Sequence, residues 1–311
     1  MSPLSPLSAA EIEHFLQFGY IRVSGCLDRE FCAQQVRRGW ERSGYDPQDR
    51  TTWVTDRLHM SSQTHWPVSE ISPKASAVIG QLCGGHERIT TPLWSDGFII
   101  NFRIDSDEPW ADPSPRTEGW HKDGDFFRHF LDSPEQGLLT IVIWQDVAAR
   151  GGATFIAPDS IGPVARYLLA RPDGASPYDF GRIIDECRLF GEAEGKAGDV
   201  YFLHPFMLHA SSPNHSGIAR FITNPPVHYR EPMRFDRPLS EQSPVEQTIM
   251  RHLGVERLDF RITAARERLE PARVHEQAKL DAEEARRRLV SQRDHGLKPE
   301  NRICDPSAAL H

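Results

Sequence analysis

A chain of 311 residues with 39% hydrophobic and 26% charged residues can bury the core of one large domain or two small ones. Its formal net charge of −8 provides no global basic field to attract nucleic acid or an anionic membrane. The five cysteines (Cys26, Cys32, Cys83, Cys187 and Cys304) are odd in number and form no C-x-x-C pair, which argues against a disulfide scaffold or zinc ribbon and suits a reducing compartment. The opening MSPLSPLSAAEIEHF has neither a basic nor an apolar leader region, and the most apolar run, Leu138 to Trp144, is too short to span a bilayer. A cytoplasmic protein is expected, with no membrane and no nucleic-acid partner.

In chain order, Ser8-Ala9-Ala10-Glu11 fits a capping box, Ile12, Phe15 and Leu16 follow at helical spacing, and Gly19 is a stop signal. Tyr20 to Val23 reads as a strand and residues 27–45 as a helix. The stretch from Pro47 to Pro73 is irregular, and residues 74–83 are helical up to Gly84-Gly85. Short runs rich in Ile, Val, Phe and Tyr then recur at 97–103, 138–147, 153–157, 199–203 and 219–223, separated by Gly, Pro, Asp and Asn clusters. This is the pattern of an antiparallel sandwich or barrel. Residues 161–169 read as a helix between two strands, 245–253 as another, and 261–292 as a long charged helix interrupted near Pro271. Such a helix is normally a solvated face, and a homodimer built through these C-terminal helices is its other use.

The chemistry starts at Trp120-His121-Lys122-Asp123. In a strand, His121 and Asp123 would point to one face and could bind one ion together. Chance alone gives about two His-x-acid matches in such a chain, so the motif needs support. It comes from GDVYFLHPFMLHAS, where an apolar strand leads to His209. Two His and one carboxylate form the facial triad of non-haem Fe(II) sites, which leaves positions open for a 2-oxo acid and O2. Arg220 follows a turn-rich segment, so His209 and Arg220 are expected on adjacent strands of a hairpin, with the guanidinium ready for a carboxylate. His204 reads as a structural histidine, and Lys122 should point away from the site. The segments 50–67 and 105–118 are candidate lids.

On WHKD, LLTIVIWQDV, RGGATFIAPDS and AGDVYFLHPFMLHASSPNHSGIARF the sequence resembles the phytanoyl-CoA dioxygenase family of Fe(II)/2-oxoglutarate oxygenases over about residues 8 to 230. The resemblance implies a mainly β fold with flanking helices: a double-stranded β-helix, jelly-roll and cupin-like, over residues 8–235. Residues 236–295 would form a helical extension on or beside it. It implies iron ligands at His121, Asp123 and His209, and Arg220 on the distal carboxylate of 2-oxoglutarate with Ser211 assisting. Trp144 and Asn101 match positions that contact the co-substrate. The implied activity is a dioxygenase that consumes O2 and 2-oxoglutarate, is supported by ascorbate, and oxidises a small metabolite of specialised metabolism with release of succinate and CO2. Halogenating relatives lack the carboxylate, so Asp123 points to hydroxylation, desaturation, epoxidation or cyclisation. Two rivals share the residues: a zinc hydrolase on the same triad and a non-catalytic cupin-like binding protein.

Overall fold

The computed structural model describes residues 6–271, 279, 282–287 and 289. Helix α1 (Ala9–Phe18) begins at the expected box, with the Ser8 hydroxyl accepting from the Glu11 amide and the Glu11 carboxylate accepting from the Ser8 amide. It ends on Gly19, whose φ of 67° is the left-handed conformation that glycine adopts freely. Strand β1 (Tyr20–Val23) and helix α2 (Arg29–Ser43) follow, then β2 (Arg57–His59), β3 (His65–Pro67), α3 (Val68–Ile71), α4 (Pro73–Cys83), β4 (Leu93–Ser95) and β5 (Ile99–Asn101). The second half holds β6 (Leu138–Ile143), β7 (Phe155–Ala157), α5 (Ile161–Leu169), β8 (Gly191–Glu192), β9 (Val200–Leu203), β10 (Leu208–Ala210), β11 (Arg220–Thr223), β12 (Pro226–Val227) and α6 (Pro244–Leu253).

These strands form two main sheets. The larger has the order β1-β9-β6-β11-β5-β2, with β12 also on β6, and the smaller has the order β10-β7-β8. An isolated bridge between His121 and His209 adds the His121 segment to the free side of β10. Along the chain, β5, β6, β9 and β11 lie in the large sheet, while the His121 segment, β7, β8 and β10 lie in the small one. Every pairing between these strands is antiparallel. This alternation is the double-stranded β-helix, and the expected mainly β class with flanking helices holds.

The large sheet is covered on both faces, which explains why every residue of Leu138–Ile143 is buried and all but Thr140 are apolar. One face looks across to the small sheet, and the other packs against α2 through Phe31, Trp40 and the rings of Trp144 and Phe221. Helix α6 packs on α1 and α5. It is capped by Ser243 and Glu246, and the Glu246 carboxylate also pairs with Arg88 and Arg237. The four described cysteines are free and buried. No described helix is long and apolar enough to cross a membrane.

Two expectations are corrected. The segment 261–270, read as helix from its charge pattern, is irregular: Arg268 bridges to Phe127, and the Leu269 amide donates to the Phe126 carbonyl at 2.8 Å. Its backbone hydrogen bonds are satisfied by a neighbouring loop, which overrides helical propensity. Residues 279, 282–287 and 289 are helical, and the rest of that expected helix beyond residue 271 lies outside the described residues. His209 and Arg220 are also not hairpin neighbours. β10 pairs with β7, whereas β11 pairs with β5 and β6, so the turn between them crosses from one sheet to the other.

Candidate metal centre

Residues two apart on a strand share a face. Ile99 of β5, Leu139 and Ile141 of β6, and Arg220 and Ile222 of β11 all follow that rule and line one cavity of about 530 Å³ between the sheets. His121, Asp123 and His209 line the same cavity.

His121 and His209 face each other through reciprocal backbone hydrogen bonds of 3.0 Å each. Each imidazole hydrogen-bonds through Nδ1 to a carbonyl two residues back, Gly119 at 2.7 Å and Met207 at 3.1 Å. Read as donation from Nδ1–H, those bonds leave both Nε2 lone pairs free. Asp123 Oδ1 lies 3.4 Å from His121 Nε2 and 3.3 Å from His209 Nε2, and the three donor atoms fall within 4.8 Å of one another. Burial works to raise the Asp123 carboxyl, but the facing imidazoles of His209 and His121 overcome it and hold the group well below its ordinary value. Asp123 Oδ2 accepts from Asn224 Nδ2 at 3.2 Å, an outer contact that fixes the carboxylate plane. Gly124, with φ of 110°, then turns the chain where a Cβ would meet the Phe127 ring at 2.4 Å. The donor set suits one metal ion: two imidazoles and one carboxylate, all on one side, leave the cavity side open for further ligands.

Arg220 stands on the opposite sheet, 3% exposed. It donates to Thr154 Oγ1 at a long 3.5 Å, and among the described residues its Nε has no partner. Burial, with the like charge of Arg57 adding to it, pushes the guanidinium down to about 9. A buried cation with an unsatisfied donor is costly unless an anion meets it. Ser211 lines the cavity too, where its hydroxyl accepts from Arg57 at 3.2 Å.

The other two sequence-derived candidates do not reach the cavity. Trp144 has the opposite strand phase from Leu139 and Ile141. It is 1% exposed, donates to Thr223 Oγ1 at 3.0 Å, and packs among Phe31, Trp66 and Phe98. Its surroundings are those of a core aromatic. Asn101 is buried beside the cavity wall, but its amide is engaged by backbone, donating to the Ser212 carbonyl at 2.9 Å and accepting from the Ile104 amide at 3.1 Å. It secures the turn that carries the chain out of β10. His204 is structural as expected, bridging the Phe206 amide and the Val245 carbonyl. Lys122 is buried, with Nζ donating to His129 Nδ1 at 2.8 Å and Gln136 Oε1 at 3.1 Å, and burial pushes it down to about 7. Of the two candidate lids, 105–118 contributes nothing to the cavity lining, whereas 50–67 contributes Arg57 and His59 from an edge strand.

Sequence reading missed Arg57, Asn224 and Thr154. Asn224 was findable, because it continues the phase of Arg220 and Ile222. Arg57 lies in a three-residue strand within an irregular stretch, and no periodicity marks it.

No family model matches the sequence, and no curated protein matches it. Solved structures do show likeness. The non-haem α-ketoglutarate-dependent carbocyclase SnoK from nogalamycin biosynthesis is 15% identical, with 74% of this chain and 87% of that chain covered and a TM-score of 0.40. HygX from Streptomyces hygroscopicus, with nickel and 2-oxoglutarate bound, is 12% identical over 71% of this chain and 86% of its own, TM-score 0.43. EctD from S. alaskensis is 15% identical over 85% and 86%, TM-score 0.40. Likeness at this level assigns neither substrate nor reaction.

Proposed function

We propose that this chain is an Fe(II)- and 2-oxoglutarate-dependent oxygenase of the phytanoyl-CoA dioxygenase type, acting on a small organic molecule. The observation that carries this reading is a single cavity with His121, Asp123 and His209 converging on one wall and the buried, under-satisfied guanidinium of Arg220 on the facing sheet. A zinc hydrolase has no need of that guanidinium, and none of the described contacts gives it another partner besides Thr154.

In this reading His121, Asp123 and His209 would hold the iron, which would supply the coupling of O2 reduction to decarboxylation of 2-oxoglutarate. Arg220 would receive the distal carboxylate of 2-oxoglutarate, and Ser211, which lines the same cavity, would assist. Asn224 steadies Asp123, and the carbonyls of Gly119 and Met207 orient the two imidazoles. The apolar wall of Ile99, Leu139, Ile141 and Ile222 limits water around the reacting centre.

The test is anaerobic addition of Fe(II) and 2-oxoglutarate to the purified protein. The weak visible charge-transfer band of a ferrous 2-oxo acid chelate is expected, followed by succinate release once O2 is admitted. Tight zinc binding without that band would favour the hydrolase, and failure to bind either metal would favour a non-catalytic binding protein.

A further inference from the structure

The large sheet brings a second guanidinium to the cavity. β2 is its edge strand, and the register sets Arg57 opposite Asn101, which in turn lies opposite Arg220 on β11. Directly paired residues of neighbouring antiparallel strands point to the same face, so Arg57 and Arg220 share the cavity face with one strand between them. Two strand spacings put their backbones about 10 Å apart. Arg220 is buried at the inner end of this row, whereas Arg57 is exposed at the outer end, on the cavity rim.

Among the described residues Arg57 has no counter-ion. Its NH1 donates to the neutral Ser211 hydroxyl at 3.2 Å, and no described carboxylate lies within ion-pair distance of it. The carboxylate next to it in the chain, Asp56, is instead paired with Arg103 at 2.9 Å and so is committed elsewhere. The charge of Arg57 is also felt inside, since it adds to the burial that depresses Arg220. A fork of donors held at a cavity mouth on a neutral acceptor can accept an incoming anion at little reorganisation cost.

The geometry points to Arg57 as the residue that selects the substrate, by binding an anionic group, a carboxylate or a phosphate monoester, carried by the molecule to be oxidised. The inference rests on the proposed oxygenase reading, in which the two carboxylates of 2-oxoglutarate are matched to the metal and to Arg220 and leave Arg57 unmatched. The substrate would then span the cavity, its anion at the rim and its reacting carbon near His121, Asp123 and His209.

The experiment uses the Fe(II)- and 2-oxoglutarate-loaded protein under anaerobic conditions and follows the charge-transfer band and thermal midpoint. Acetate and methyl phosphate serve as separate probes for the two anion classes, against wild type, Arg57→Gln and Arg57→Lys. At least one probe should bind wild type at millimolar concentration, about 10- to 100-fold more weakly in Arg57→Gln, with Arg57→Lys between them, as expected for loss of a charge-assisted hydrogen bond. Half-saturation by 2-oxoglutarate should shift less than about threefold in Arg57→Gln. Neither probe binding, equal binding to wild type and Arg57→Gln, or a 2-oxoglutarate requirement that rises as much as the probe requirement would each overturn the assignment. Absence of the band in wild type would instead strike at the oxygenase reading itself, which keeps the two failures apart.

Discussion

Replacing Arg220 with Met probes the site and the fold together. The guanidinium is 3% exposed, has one long hydrogen bond and keeps an unpartnered Nε. Burial chiefly, then Arg57, lowers it from 12.5 to about 9, which corresponds to roughly 5 kcal/mol against the charged form. The native state holds this proton less tightly than the unfolded chain does. The cost is therefore fully present below pH 9 and is relieved as pH rises from 9 towards 12.5. Removing the charge should stabilise the ligand-free protein by about 1–4 kcal/mol, the range seen when buried ionic groups give way to apolar side chains. The same change deprives a bound carboxylate of a desolvated partner, a loss of about 2–5 kcal/mol, or roughly 30-fold or more in affinity for 2-oxoglutarate. Iron affinity should move much less, because no hydrogen bond or ion pair among the described residues ties Arg220 to the three donors. Urea unfolding of the ligand-free protein, iron titration and 2-oxoglutarate titration of the charge-transfer band measure the three quantities. Equal losses of iron and 2-oxoglutarate, or an earlier urea midpoint for the variant, would refute the reasoning.

Three further outcomes are expected. Asn224→Ala removes the hydrogen bond to Asp123 Oδ2 and should weaken iron binding about 10- to 100-fold with the fold intact, as read by metal titration and circular dichroism. Trp144→Phe should leave 2-oxoglutarate affinity unchanged while lowering stability by about 1–2 kcal/mol through the lost Thr223 hydrogen bond and ring area. A selective loss of 2-oxoglutarate affinity would return Trp144 to the site. Glu246 is pushed against its burial to about 2, chiefly by Arg88, from an ordinary 4.5, so its contribution of about 3 kcal/mol is present above pH 4.5 and is lost as pH falls towards 2. Acid unfolding of Glu246→Gln should be correspondingly flatter over that window.

Much of this architecture was legible because its signals are local. The Ser8 and Glu11 box, the αL stop at Gly19 and the β-branched and aromatic residues of β6, β9 and β11 are set by neighbours in sequence, and the structure places elements there. The sides of the strands were harder to read. Leu138–Ile143 is apolar at every position but Thr140 because both faces of its sheet are covered, so alternation could not show that Leu139 and Ile141 face the cavity while Trp144 faces α2. The sheet switch after β10 was also hidden, since a Pro-, Asn- and Gly-rich turn looks the same whether it closes a hairpin or crosses a sandwich. Arg57 was missed for a related reason. A three-residue edge strand owes its existence to its partner β5, which lies far along the chain.

The two imidazoles meet through mutual backbone hydrogen bonds between segments that lie on either side of four other strands in the chain. In the proposed oxygenase, a growing or half-collapsed polypeptide would offer the metal only His121 and Asp123 of its three donors, because His209 joins them through a long-range pairing. Metal loading would then follow the closing of the two sheets, at the speed such topology allows.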